Sequence, residues 1–124
     1  MSITLFLAAA LSTPAPVTLT VPAPTVEKSD VGYHELLAGR PEAAIASIEK
    51  SGLARAGDPL ALINLGTAYK MLGRKDEAQR LYKAAVSSDD RFDVELGNGR
   101  WVDSRRAANI ALNQLGSSEV LALR

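Results

Sequence analysis

The sequence predicts an all-α fold: two helical hairpins in tandem, then a small β-hairpin and a C-terminal capping helix. Three observations carry this. At an offset of 34 residues Gly32 meets Gly66, Gly39 meets Gly73, Arg40 meets Arg74 and Ala44 meets Ala78, and small residues recurring at a fixed period mark places where helices approach closely. Ala78, Leu81, Tyr82, Ala85 and Val86 follow the i, i+3, i+4, i+7, i+8 spacing of an amphipathic helix. Gly97-Asn98-Gly99 between Phe92–Leu96 and Arg100–Val102 is a hairpin signal, because Asn and Gly both tolerate positive φ.

The first elements are not part of that domain. The chain has 124 residues, and its first charged side chain is Glu27. Within the uncharged stretch, Ile3–Leu11 is an apolar run broken only by Thr4. As helix it spans roughly 14 Å, too short to cross a bilayer. It matches the apolar centre of a secretory signal peptide, with Ala8-Ala9-Ala10 and Ala10-Leu11-Ser12 as small-x-small cleavage sites. Residues 1–12 are therefore read as a signal peptide or apolar leader, lacking a basic start. The expected location is periplasmic or secreted, with no stable membrane span after cleavage; the alternative is cytoplasmic or membrane-anchored. Residues 13–29 are read as a Pro/Thr-rich extended linker, since proline fixes φ and removes a backbone donor.

The helical domain is placed at 30–116. A short first helix near Asp30–Ala38 stops at Gly39, and a second over Pro41–Ser51 closes at Gly52. Asp58-Pro59 is an N-cap followed by a first-turn proline, opening a third helix that Gly73 ends. The stripe from Ala78 to Val86 forms the fourth helix. Asp103 or Ser104 caps the last one, which puts Ala108, Ala111, Leu112 and Leu115 on one face and ends at Gly116. Residues 117–124 are read as a C-terminal tail.

Leu62-x2-Leu65-Gly66-x2-Tyr69 followed by Ala78-x3-Tyr82 resembles the tetratricopeptide repeat, with Leu for its opening Trp, Tyr for its Phe and Asp90 for its closing Pro. The first copy keeps Gly32, Ala44 and Ile48, with Glu35 where the family has Tyr. The resemblance covers 59–92 strongly and 25–58 less so. It implies stacked helical hairpins whose first helices line a groove for peptides or helices. Since about three repeats are needed for a stable stack, the last helix has to act as the third unit.

Function follows by elimination and by that resemblance. Fourteen basic residues balance fourteen acidic ones, which removes the electrostatic footprint of nucleic-acid binding. Without cysteine there is no disulfide, thiolate metal site or thiol nucleophile. His34 is the one histidine; it is read as a solvent-facing helix residue, with a hydrolase using it a remote alternative. Asp89, Asp90, Asp93 and Glu95 lack the spacing of a calcium loop and are read as acidic loop residues. No cofactor, metal site or catalytic residue is expected.

The resemblance implies a protein or peptide partner in the groove. One face of the third helix is apolar; the other presents Leu60, Ile63, Asn64, Thr67, Lys70 and Met71. Asn64 sits where family members use Asn to hold a ligand backbone, and a side-chain amide both donates and accepts. The candidate binding residues are Ile63, Asn64, Thr67, Lys70, Met71 and Trp101. For Trp101 the core of the cap is preferred over an interface. A structural, self-associating domain, a homodimer, is the alternative function.

Overall fold

The computed structural model describes residues 31–124. The leader at 1–12, the linker at 13–29 and Asp30 lie outside the described residues. Five helices and two short strands follow in order: α1 (Tyr33–Leu37), α2 (Pro41–Ser51), α3 (Pro59–Met71), α4 (Lys75–Val86), β1 (Asp93–Glu95), β2 (Trp101–Asp103) and α5 (Ser104–Asn113). The described chain is mostly helical, with one small antiparallel sheet, as the sequence predicts.

The 34-residue period has a physical basis. A Cβ built on Gly66 would stand 2.6 Å from the Tyr82 ring, and one on Gly32 would stand 2.9 Å from Ile48 Cδ1. In each copy a glycine thus lets the first helix press against the large side chain of the second. The copies differ in what the glycine does to its own helix. Gly66 lies inside α3, whereas Gly32 takes φ 74° and precedes α1, so the first helix is shorter than the expected Asp30–Ala38. A left-handed residue cannot continue a right-handed helix.

α3 opens on a working cap, with Asp58 Oδ1 accepting from Ala61 N at 3.1 Å. Every residue from Pro59 to Ala68 is buried. A helix covered all round is the centre of its fold, not a surface helix with one dry face. α2 and α4 pack on one side, and α5 covers α4 and α3 as the third layer of the stack.

The hairpin pairs Asp93 with Asp103, Val94 with Val102 and Glu95 with Trp101. Its turn differs from expectation. Gly99 alone has positive φ, at 81°, while Gly97 and Asn98 do not. Gly99 N donates to Leu96 O at 2.9 Å and Leu96 N to Arg100 O at 2.8 Å, a three-residue loop with its glycine in the left-handed position. Asn98 contributes through its side chain, Oδ1 accepting from Arg100 N at 3.1 Å. Asp103 is the cap of α5, accepting from the amides of Arg105 and Arg106. That helix ends at Asn113, before Gly116.

A self-occupied groove along α3

The three polar residues on the groove face of α3 stand at i, i+3 and i+6, so they form one row along the helix. Each is bonded to the main chain of the segment that follows α5. Asn64 Nδ2 donates to Leu123 O at 2.9 Å, and Asn64 Oδ1 accepts from Leu123 N at 2.9 Å. Thr67 Oγ1 donates to Leu121 O at 2.6 Å. Lys70 Nζ donates to Glu119 O at 2.5 Å and to Gln114 O at 2.8 Å. The partners are alternate residues, 123, 121 and 119, whose carbonyls share one edge of an extended chain. The segment therefore runs antiparallel to α3 and presents its backbone to the polar row.

Two steps of that chain advance about 13 Å, while six helical residues advance about 9 Å. The long, flexible lysine stands at the end of the row, where the mismatch is largest. Burial pushes the Lys70 ammonium below the usual lysine range, with Glu119 pulling it back up and Lys75 adding to the fall.

Behind the row, a second layer fixes the donors. The Tyr82 hydroxyl lies 2.9 Å from Thr67 Oγ1. Thr67 has one hydroxyl proton and spends it on Leu121 O, which can only accept, so Tyr82 is the donor to Thr67. Burial raises Tyr82 above the ordinary phenol range. Asn64 Nδ2 also donates to Val31 O at 2.9 Å, which ties the start of the described chain to the same amide. Among the described residues no buried side-chain polar atom lacks a partner.

The apolar side of the segment completes the site. Leu123 is fully buried in the main core, and Ala122 packs with Tyr33, Leu36, Ala44 and Ala68. Leu123 also bridges to Leu96 as a one-residue continuation of the hairpin, while Arg124 N donates to Glu95 O at 3.2 Å. Its guanidinium lies 3.6 Å from the Glu95 carboxylate and 4.9 Å from the centre of the Tyr33 ring.

The six expected binding residues thus fall into two groups. Ile63, Asn64 and Thr67 are buried, and Lys70 and Met71 half-buried, along one face of α3. Trp101 is elsewhere and is 65% exposed; the preference for a core position is corrected. On a strand successive side chains alternate, and Val102 takes the inward place, leaving Trp101 facing out beside Glu95. His34 is exposed on α1, its ring edge-on to Tyr33. Sequence reasoning missed residues 121–124 as part of the site. The signal was there: Val120-Leu121-Ala122-Leu123 is an apolar run after a Gly-Ser-Ser break.

The opposite face of α3 carries a cavity of about 440 Å³ between α2 and α4, lined by Ile48, Leu62, Leu65, Tyr69, Arg55 and Arg80 among others. Among the described residues no three His, Asp or Glu side chains gather as metal ligands do. None of the described helices is long and apolar enough to cross a membrane.

A helical-hairpin repeat whose first helix grips an extended backbone defines a class of repeat protein. The comparison names it: residues 59–92 match the family model described as tetratricopeptide repeat. The matched unit is the α3–α4 hairpin, which is similar to one such repeat. No curated protein and no solved structure matches the chain.

Proposed function

We propose that this chain is a non-catalytic protein-interaction module that takes an extended segment of a partner along α3. The observation that supports the reading is the row Asn64, Thr67 and Lys70, which holds an extended main chain by four hydrogen bonds. Main-chain recognition of this kind supplies affinity, and neighbouring side-chain pockets supply selectivity. Tetratricopeptide repeats are protein-binding units in general, which favours a protein partner over a small molecule or nucleic acid.

The test is a photo-crosslinking residue placed at Met71, at the edge of the groove, or at Arg80, on the opposite face. Adducts formed from Met71, absent from Arg80 and weakened at least fivefold by Lys70→Ala are the expected result. Equal crosslinking from both faces, or indifference to Lys70→Ala, rejects the groove. A periplasmic or secreted setting is a companion proposal that rests on the apolar leader. N-terminal sequencing of the expressed protein checks it: a start at Leu11 or Thr13 supports export, and an intact Met1 opposes it.

A further inference from the structure

The hydrogen bonds to residues 119–123 go to main-chain atoms and are blind to sequence. Selectivity must come from what surrounds three side chains. Ala122 is enclosed by Tyr33, Leu36, Ala44 and Ala68, where nothing larger fits without moving them. Leu123 is fully buried in the main core, and Arg124 is set between the Glu95 carboxylate and the Tyr33 ring. Together with half-buried Leu121, the resident segment spells the ligand the groove accepts: extended, with the order Leu, small, Leu, basic.

The hold on that segment is uneven. Residues 117–120 are exposed, and attachment to the hairpin is by two main-chain bonds of 3.2 and 3.3 Å. The segment follows α5 at the end of the described chain, and only its last residues enter the core. When the segment leaves, Asn64 keeps Val31 O and Thr67 keeps the Tyr82 hydroxyl, so the bonds left to be replaced are those that a second extended main chain can supply.

We propose that residues 119–124 are a resident competitor for the groove, displaced by a partner that offers an extended Leu-small-Leu-basic segment. This rests on the reading of the groove as the partner site. A tethered competitor acts at an effective concentration in the millimolar range for a short linker, and it weakens the partner's apparent affinity by the fraction of molecules with an open groove.

The probe is a labelled peptide, Ser-Ser-Glu-Val-Leu-Ala-Leu-Arg, titrated by fluorescence anisotropy onto the full chain and onto its Leu123→Asp variant. At least tenfold tighter binding to the variant is expected, with loss of binding when the peptide's Ala is replaced by Trp. Equal affinity for both proteins, or no binding to a variant that keeps its helical circular dichroism, overturns the proposal. Should Leu123→Asp unfold, hydrogen exchange on the unaltered chain decides: Leu123 and Arg124 amides must exchange at least tenfold faster than those of α3. Equal exchange means that the segment leaves only on global unfolding, and rejects it. A mass that doubles with concentration in light scattering also overturns it, because the occupant is then the segment of a second copy. None of these measurements requires the natural partner, so they can fail while the crosslinking from Met71 succeeds, and the reverse.

Discussion

Asn64 carries more of this fold than any other polar side chain. Its amide serves Val31 O, Leu123 O and Leu123 N at once, all buried. Asn64→Ala removes the partners of these three groups together. Stranding a buried donor or acceptor costs about 1–3 kcal/mol each, so a loss of at least about 2 kcal/mol is expected from urea unfolding. Gly66 shows the opposite dependence, on having no side chain. Alanine would gain about 1 kcal/mol in helix propensity, but its Cβ meets a buried tyrosine ring that has nowhere to go, and overpacking costs about 1–3 kcal/mol. Gly66→Ala should therefore lower the thermal midpoint, by about 4–8 °C for each net kcal/mol. Tyr82 supplies a pH dependence. Its folded pKa is raised above its unfolded value by burial, so its contribution is complete below about pH 10 and is lost as pH rises through the folded value. Stability measured in denaturant should fall above pH 10, and Tyr82→Phe should flatten that part of the curve. The same substitution should cost only about 0.5–1.5 kcal/mol at neutral pH, since Thr67 keeps its bond to Leu121.

Among the elements, the helices with strong local signals were legible. Asp58 and Pro59 open α3, Gly52 closes α2, and Ala78, Leu81, Tyr82 and Ala85 of the apolar stripe lie on the buried face of α4. These rest on caps and periodicity, which are local and survive any tertiary arrangement. The site was legible as a set of residues but not as an arrangement. Asn64, Thr67 and Lys70 share a face because helical geometry puts them there, yet nothing local says which backbone they meet. That pairing spans most of the domain, as the bond between Asn64 and Leu123 illustrates, and a long-range contact leaves no periodic trace. Trp101 failed for a related reason: strand alternation admits two registers, and only packing on α5 decides that Val102 points inward. The segment after α5 behaves as core and not as a tail. Leu123→Ala should cost about 2–5 kcal/mol, the range for emptying a buried leucine site, and should also speed amide exchange in α1, which Ala122 and Arg124 cover.

At the scale of the molecule, one amide nitrogen lies 2.9 Å from both Val31 O and Leu123 O. The two carbonyls therefore sit within about two hydrogen-bond lengths of each other, although almost the whole described chain separates them. The entry to α1 and the segment after α5 are thereby drawn to the same point of α3. A circular permutant of residues 31–124 that joins Arg124 to Val31 through a few glycine and serine residues, and opens between Ala56 and Gly57, should keep its helical spectrum but lose its binding of the labelled peptide, because the two joined positions are close enough to be linked without strain. In that permutant the segment over α3 would be anchored by chain at both of its ends, and a resident that can no longer swing away would shut the groove for good.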